Sequence, residues 1–482
     1  MKKARLLAAT LALVILLLCL GGCSPAQQSE ETPEPTLVQT PPAGTTVTPP
    51  TEEIEWFGEA DGVTPVTLQV WGGIQPEYGY DKMVENFNAE YKDKGIQIEY
   101  VRYVNDADGN LQVDTYLVGG GAIDVLIGYG ANNLQKRAES GLFLNLTDML
   151  AARGFDCAKE LGEASMSQYW VDGDQVYGFP SIYSNNRWMM VNVDMFQEAN
   201  IPVPYEGWSY DEFYNACKAL TKGEGINKQY GMMWCINQDI AQARGVASSA
   251  LGELSFYTSL DGTASNFDNA LWNDGISLIK RTMDDGYAIP LADEVADSLT
   301  FSNTFLAEKC AITLNISQLR LLLDTATYPH EFKTALVPGP VPNGYVTDEY
   351  KYHTNYSGTN DLLSVTATTP NPEAAYEFIM WYATGGMAPV AEFGRIPLWR
   401  GFDASLVTNA LSGVANILDL DSLAWYMNVD KSAAVSMPAL KAYSEITTVI
   451  NEEIQAILLG SKTVDQGLGD AKTRADEMIA SK

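Results

Sequence analysis

The chain has 482 residues, enough for two lobes of ordinary domain size after its N-terminal segments. Its 61 acidic residues against 30 basic ones give a formal net charge of −31, so its surface repels nucleic acid and anionic lipid headgroups. Only two histidines occur, which disfavours a histidine-based catalytic triad and a transition-metal receptor.

The first 22 residues have the pattern of a secretory signal peptide. Three basic residues precede an apolar run over residues 6–20, which is short for a membrane span. Leu20-Gly21-Gly22-Cys23 resembles the lipobox of bacterial lipoproteins, in which the signal is cut before a cysteine that is then acylated. The resemblance implies residues 1–22 as a cleaved signal and Cys23 as the lipidated residue, anchored at the extracellular face of the cell membrane.

Residues 23–62 are predicted to be the lipidated cysteine followed by a disordered tether. The segment is crowded with Pro, Thr, Gln and Glu and offers little that could be buried. Such a composition suits a semi-rigid spacer between a membrane and a globular body. Removing the signal deletes three basic residues and no acidic ones, which takes the net charge from −31 to −34.

Strands and helices alternate at the start of the globular part. Apolar residues alternate over 66–70, helical spacing follows over 84–91, and a second strand pattern covers 96–100. After another helix, the apolar run over 123–127 is typical of a strand covered on both faces. This order predicts an α/β fold with a parallel sheet and crossover helices.

The ends of these strands indicate where a ligand would bind. Ligands of open parallel sheets lie beyond the carboxyl ends of the strands. Trp71 ends the first strand, Gly72 permits close approach of the backbone, and Tyr129 follows the third strand. We therefore expect these three residues to contact the ligand.

The C-terminal part predicts helices with clear boundaries. Asn371-Pro372 is a helix start, and Thr463 with Gln466 forms a capping box for the last helix. Isoleucines at 446, 450, 454 and 457 form one apolar stripe. These elements are expected to be core architecture.

Six segments carry sequence patterns that recur together, at residues 171–180, 186–196, 207–213, 305–315, 371–380 and 459–468. Taken in order, they resemble the family 1 extracellular solute-binding proteins, the group that contains the maltose-binding protein. The chain departs from the family pattern at Val191, where tyrosine is usual, and at Glu308, where glycine is usual. Within one segment, Ser209 and Glu212 form a predicted capping box, so Trp208 beside them is expected to be structural.

The resemblance implies a two-lobed clamp, each lobe a sheet flanked by helices, joined by a hinge with several crossings. By position, we expect the crossings near Pro180, Pro338 and Gly394. The expected N-lobe then consists of residues 64–180 and 340–393. The expected C-lobe consists of residues 181–339 and 394–482.

Further candidate ligand residues come from positions beside the crossings and from cleft positions of the resembled family. Sugar recognition needs flat aromatic faces and planar polar side chains, and ten Trp and 25 Tyr supply the aromatic faces. Arg187 could bind a carboxylate or two hydroxyl groups, or could form a surface salt bridge. The expected contacts are Tyr183, Asn185, Arg187, Trp234, Asn237, Asn315, Gln318, Tyr356, Trp399 and Tyr443.

The sequence predicts neither a cofactor nor a metal site. Four cysteines lie beyond the anchor, without C-x-x-C spacing, and could form disulfides or stay as buried thiols. The acidic run over residues 106–110 lacks the twelfth-position glutamate of a calcium loop, so we interpret it as a turn.

The favoured function is a monomeric receptor, without catalytic activity, that delivers a mono- or oligosaccharide to the permease subunits of an ABC importer. A strongly anionic ligand is disfavoured by the net charge, unless a lobe contains a local basic pocket. One alternative is a secreted glycan-active enzyme, which needs two carboxylates roughly 5 to 10 Å apart. Another is a binding protein for a peptide or a polyamine.

Overall fold

A computed structural model describes residues 65–481, apart from 167, 186–187, 239, 260, 315–317, 348–356 and 429–441. The predicted signal peptide, Cys23 and the predicted tether therefore lie outside the described residues. Residues 55–482 form one compact unit of the chain.

The larger sheet has six strands in the order β10-β4-β9-β3-β1-β2. Strand β1 runs parallel to β2 and β3, with Val66 opposite Ile96 and Val70 opposite Val125, as the alternation of strands and helices predicts. Strand β9 runs antiparallel to β3 and β4, and β10 runs antiparallel to β4. The six strands are β1 (Val66–Gly72), β2 (Ile96–Arg102), β3 (Val125–Gly128), β4 (Phe179–Asn185), β9 (Ser357–Val365) and β10 (Ile396–Pro397).

The smaller sheet has four strands in the order β6-β7-β5-β8. Strand β7 is parallel to β6 and antiparallel to β5, which also pairs antiparallel with β8. Every residue of β5, β7 and β8 is buried, because helices cover this sheet. The strands are β5 (Met189–Asn192), β6 (Tyr230–Met233), β7 (Cys310–Leu314) and β8 (Thr334–Val337).

The helices flank the two sheets. Those of the first half are α1 (Tyr80–Glu90), α2 (Ala107–Val118), α3 (Ala131–Glu139), α4 (Thr147–Ala152), α5 (Glu163–Met166), α6 (Val193–Glu198), α7 (Tyr210–Leu220) and α8 (Ile240–Ala247). Those of the second half are α9 (Ala270–Asp284), α10 (Leu291–Ala296), α11 (Phe301–Thr304), α12 (Leu319–Leu323), α13 (Pro372–Trp381), α14 (Ala388–Ala391), α15 (Ser405–Ala410), α16 (Leu420–Asn428), α17 (Tyr443–Leu458) and α18 (Val464–Ser481). Short 3₁₀ and π segments join several of them.

The strand memberships move the expected lobe boundaries. Pro180 lies inside β4, where it pairs with Leu362, so the first crossing comes after Asn185 rather than near Pro180. The third crossing follows β10, because Ile396 still pairs with Tyr183 in the larger sheet. We therefore propose an N-lobe of residues 65–185 and 357–404, and a C-lobe of residues 189–337 and 420–481.

Helix α16 joins the smaller sheet, since the backbone N–H of Leu336 in β8 donates to Ser422 Oγ over 3.0 Å. One core packs on the larger sheet and continues onto one face of the smaller sheet through Met190, Met233 and Leu336, and a second core packs on the opposite face of the smaller sheet. The isoleucine stripe of α17 is fully buried in the second core, as its spacing predicts. The capping box of α18 is present, with Gln466 N–H donating to Thr463 Oγ1 and Thr463 N–H donating to Gln466 Oε1.

Trp208 is structural, as its motif predicts. Its indole N–H donates to the carbonyl oxygen of Pro338 over 2.9 Å, and its ring packs edge-on against Phe213. Ser209 and Glu212 form the reciprocal capping box at the start of α7. The family-like segment at residues 207–213 therefore fixes the start of α7 and packs it against the chain near residue 338.

Glu308 shows why the resembled family has glycine at this position. Its backbone lies in the left-handed region, with φ of +57°, in the turn that leads into β7. A side chain in this conformation is strained by roughly 1 to 2 kcal/mol, whereas glycine adopts it freely.

The four described cysteines are buried free thiols, so the second of the two predicted alternatives holds. Burial raises the pKa of each of them. The acidic run at 106–110 is the first turn of α2, whose N-cap is Asp106 accepting from the Gly109 N–H.

Candidate functional site

The carboxyl end of β1 presents an aromatic face, as expected. Trp71 is half-buried and stacks on Tyr116 of α2, with ring centroids 4.8 Å apart and an interplanar angle of 20°. Gly72 is buried, and a Cβ atom there would lie 2.4 Å from Tyr100 Oη. Gly72 therefore makes room for a tyrosine of β2, and Trp71 is the residue with surface to offer a ligand.

Tyr129, at the end of β3, lies under this surface rather than on it. The residue is 8% exposed, and burial raises the pKa of its phenol well above the usual value. Its buried Oη has no hydrogen-bond partner in the described part of the chain. Beside it, the Gly130 N–H donates to Asn360 Oδ1 over 3.3 Å, which brings an amide of β9 to the same edge.

A buried ion pair supports this edge. Asp361 of β9 is fully buried, with φ of +52°, and its carboxylate accepts a hydrogen bond from the guanidinium of Arg395. Burial raises the pKa of Asp361, and the charge of Arg395 opposes that shift. The carbonyl oxygen of Asp361 also accepts from Ser181 Oγ over 2.9 Å. The pair thus fixes the end of β9 against β4.

Tyr78 lies between two guanidinium groups. It ends the short 3₁₀ helix after β1, and its ring centroid is 4.7 Å from the guanidinium carbon of Arg395. On the side of the smaller sheet, the guanidinium carbon of Arg320 in α12 is 5.5 Å from the same ring. Both distances are within cation–π range, so Tyr78 is one of the residues through which the two lobes contact each other.

The corresponding edge of the smaller sheet is built differently. Trp234, directly after β6, has no exposed surface, and its indole N–H donates to Thr282 Oγ1 over 3.0 Å. The ligand contact of Trp234 stays a prediction; in this structure helices α7 and α9 enclose the ring. Its position after a strand did not distinguish a cleft residue from a core residue.

The side-chain amide of Asn237 is used in hydrogen bonds within the protein, which hold the loop after β6 in place. Its Nδ2 donates to the carbonyl oxygens of Glu294 and Leu299, over 3.0 and 2.7 Å. Its backbone N–H donates to Glu294 Oε2 over 3.2 Å. Burial raises the pKa of Glu294 to about 7, although the backbone hydrogen bonds of residues 234–237 act in the opposite direction.

Tyr183 is also a core residue. It is 2% exposed in β4, and its ring lies 6.4 Å from that of Tyr426 in α16. The ligand contact of Tyr183 stays a prediction, and in this structure the residue packs at the junction of the lobes.

The remaining candidates are dispersed. Trp399 is half-buried, and its indole N–H donates to Glu160 Oε2 over 3.1 Å. Tyr443 begins α17 and stacks on Phe256, with centroids 5.6 Å apart. Gln318 is half-buried at the start of α12, two residues before Arg320. Arg187, Asn315, Tyr356 and Cys23 lie outside the described residues, and only the backbone of Asn185 is described.

The sequence reasoning missed Tyr78, Arg320, Asp361 and Arg395. Tyr78 could have been found from the position of Pro76-Glu77-Tyr78 after the first strand, since the same rule led to Trp71. The other three carry no local signal, because their roles depend on contacts across more than 30 residues of sequence.

One surface groove of the described chain, with a volume of about 920 Å³, lies away from the strand ends that carry Trp71 and Tyr129. Its lining includes Tyr91, Trp381 and Pro389 on the outer side of the N-lobe helices, and we refer to it as the Trp381 groove. Among the described residues, no group of three or more Cys, His, Asp or Glu is placed to hold a metal ion. The described helices are all too short or too polar to cross a membrane.

Residues 82–399, about two thirds of the chain, match the family described as bacterial extracellular solute-binding protein. A curated relative, an uncharacterized lipoprotein in the oleD 5′ region of Streptomyces antibioticus, is 25% identical over 77% of this chain and 71% of its own length. This family binds solutes, so the prediction of a binding protein rather than an enzyme is confirmed.

Solved structures share the two-lobed fold at low sequence identity. A sugar transporter protein from Rhizobium etli, solved in an open conformation, has a TM-score of 0.66 and 18% identity, covering 86% of this chain and 99% of its own. An ABC substrate-binding protein from Listeria monocytogenes, in complex with cycloalternan, has a TM-score of 0.62 and 19% identity, with coverage of 86% and 100%. The cyclic α-maltosyl-1,6-maltose binding protein from Arthrobacter globiformis has a TM-score of 0.62 and 17% identity, with coverage of 87% and 100%. The predicted fold class is thereby confirmed.

Proposed function

The chain belongs to the bacterial extracellular solute-binding proteins, and we propose that it is the lipid-anchored receptor of an ABC importer for a mono- or oligosaccharide. It acts as a monomer at the extracellular face of the membrane. The solute binds between the two lobes, and clamp closure presents the loaded receptor to the permease subunits.

One observation carries this proposal: flat aromatic rings and planar amides share the carboxyl edge of the larger sheet. Trp71 and Tyr78 are half-buried there, with Asn132 exposed and Asn360 half-buried beside them. Aromatic faces pack against the apolar C–H patches of a sugar ring, while amides exchange hydrogen bonds with its hydroxyl groups. Polyamines lack the flat C–H patches that would use these rings.

The solved relatives support the choice of carbohydrate. The Listeria protein was crystallised with cycloalternan, and the Arthrobacter protein is named for a cyclic maltosyl maltose. Because these chains share only 17–19% identity with this one, they support the class of ligand and leave its identity to experiment.

Two observations support the anchor. The sequence at residues 20–23 fits a lipobox, and the Streptomyces relative is described as a lipoprotein. Acyl chains at Cys23, followed by the Pro-rich segment, would hold the binding unit close to the permease.

Isothermal titration calorimetry on residues 55–482, which form one compact unit with both cores, tests the proposal. We expect at least one member of a panel of neutral and acidic mono- and oligosaccharides to bind. Trp71→Ala should weaken that ligand at least tenfold, because the stacking face is lost. Trp381→Ala, which removes another half-buried indole on the outer side of the same lobe, is the matched control and should leave affinity unchanged. Binding of a peptide or a polyamine, with no heat from any carbohydrate, would contradict the proposal.

A further inference from the structure

Arg320 stands out among the inward-facing arginines because it has no carboxylate partner in the described part of the chain. Its Nε is buried and makes no hydrogen bond there. Two other largely buried guanidinium groups have carboxylate partners: Arg137 pairs with Asp114, and Arg395 pairs with Asp361. Although the chain has 61 acidic residues, none of those that the structure describes pairs with the guanidinium of Arg320, which lies within cation–π range of Tyr78 in the other lobe.

An unpaired, partly desolvated guanidinium is costly, since it gives up hydration without gaining hydrogen bonds. Proteins tolerate such groups mainly where function requires them, so the cleft position of Arg320 calls for a partner supplied from outside the chain. Arg395 needs no such partner, because the carboxylate of Asp361 already neutralises its positive charge. Of the two guanidinium groups at this site, only that of Arg320 lacks a carboxylate partner among the described residues.

Tyr78 contacts the guanidinium group of Arg320 and orients it. Its ring is contacted by both guanidinium groups, at 4.7 Å for Arg395 and 5.5 Å for Arg320. Stacking on an aromatic ring restricts the guanidinium plane, which leaves its N–H groups to donate in a defined direction. A planar fork of donors held in this way matches a carboxylate or a phosphate group, which it binds through two parallel hydrogen bonds.

We propose that the solute is an acidic sugar, with its uronate carboxylate or phosphate bound by Arg320 while its ring lies on the aromatic surface of Trp71 and Tyr78. This rests on the proposed function and names the substrate class of the same cleft. The net charge of −31 does not oppose it, because a local cation at the contact outweighs distant charges that salt screens.

The test compares matched pairs of probes by calorimetry on residues 55–482. Glucuronate and trigalacturonate represent uronates, glucose 6-phosphate represents phosphates, and glucose and galactotriose are the neutral counterparts. We expect one acidic probe to bind at least tenfold more tightly than its neutral counterpart, and the uronate and phosphate arms then identify the acidic group.

Substitution of Arg320 locates the recognition. Arg320→Gln should weaken the acidic probe at least tenfold and change the affinity for a neutral sugar less than twofold, whereas Arg320→Lys should retain part of the preference. The matched control is Arg281→Gln, because Arg281 also stacks on a tyrosine, Tyr214 at 3.8 Å, but on the outer surface of the C-lobe. Thermal unfolding of each variant checks that the fold is kept.

Two outcomes overturn the inference and can be told apart. Neutral sugars that bind as tightly as acidic ones, or an equal loss of both in Arg320→Gln, would reject acidic recognition and leave the carbohydrate receptor intact. Binding of no carbohydrate, neutral or acidic, would reject the receptor proposal together with this one.

Discussion

The two sheets end in tryptophans that the sequence presents alike and the structure uses differently. Trp71 lies at the carboxyl end of β1 and stays half-buried, covered on one face by Tyr116. Trp234 follows β6 and is enclosed, with its N–H bonded to Thr282 and its ring packed on Phe213. The end of a strand therefore indicates the edge of a cleft, whereas the helices that cover that end determine whether an aromatic side chain there is exposed to the cleft.

The same contrast holds for the acidic residues behind the two edges. Asp361, behind the edge of the larger sheet, is paired with Arg395. Glu294, behind the edge of the smaller sheet, accepts the Asn237 backbone N–H at Oε2, whereas its buried Oε1 has no hydrogen-bond partner among the described residues, and burial raises its pKa to about 7. The edge of the larger sheet is thus supported by an ion pair. The edge of the smaller sheet contains instead a carboxyl group that burial favours in its neutral, protonated form.

Substitution of Trp71 and Trp234 should give the largest difference in the free energy of unfolding between the two sheet edges. Trp234→Ala should lower the free energy of unfolding by about 3 to 5 kcal/mol, because it leaves a large cavity in a closed core. Trp71→Ala should lower it by about 1 kcal/mol, since only a partly exposed stacking contact is lost. Urea unfolding of both variants measures the difference. Equal losses would mean that Trp71 is a core residue and not part of the ligand surface.

The ion pair behind the larger sheet should show strong coupling. Asp361→Asn should lower the free energy of unfolding by about 3 to 4 kcal/mol, because it leaves the Arg395 charge buried without a partner. The double variant Asp361→Asn with Arg395→Met should recover much of this loss, since it removes both charges. A double-mutant cycle by urea unfolding measures the coupling. Additive effects of the two substitutions would contradict a tight pair.

Glu294 should make the smaller sheet sensitive to pH. Its pKa is raised from 4.5 to about 7, so the folded state favours the protonated form. The stability linked to this proton is fully present below about pH 4.5 and is lost as pH rises through 7, by up to about 3 kcal/mol. Glu294→Gln, which remains neutral, should match the wild type in acid and exceed its stability by up to that amount above pH 7.5. A stability difference that does not change between pH 4.5 and 8 would contradict the raised pKa.

Substitution of Glu308 should have the smallest effect on the free energy of unfolding. It tests whether glycine, the usual residue of the resembled family, suits this turn better than glutamate. Glu308→Gly should raise the free energy of unfolding by about 0.5 to 1 kcal/mol, because glycine relieves the left-handed strain at some cost in chain entropy. Lys309→Gly, one residue later and without a positive φ, is the control and should destabilise the chain. A loss of stability in Glu308→Gly would show that its side chain makes a contact worth more than the strain.

Much of the fold could be predicted from the sequence, because local rules govern it. The alternation over residues 66–127 gives the parallel strands β1 to β3, and the capping residues of α7 and α18 form the hydrogen bonds that their types predict. The first crossing was expected near Pro180 from its position in the resembled family, whereas Pro180 lies within β4 and pairs with Leu362. A proline is tolerated there because strand pairing does not require every backbone N–H.

The cleft could be predicted only in part. Trp71 was found because a strand-end rule applies to it, but the burial of Trp234 depends on helices α7 and α9, which are distant in sequence. The arrangement of Arg320, Tyr78 and Arg395 joins residues separated by up to 317 positions, and no local pattern predicts such a contact. Side chains that meet through the fold are visible only after the fold is known.

A crystal structure of residues 55–482 with the tightest-binding carbohydrate from the panel tests the central claim most directly. The account predicts the sugar between the two sheets, with its ring on Trp71 or Tyr78 and no contact to Trp234. A sugar bound in the Trp381 groove, or stacked on Trp234 after an opening of the smaller lobe, would contradict the assignment of the ligand surface to the edge of the larger sheet.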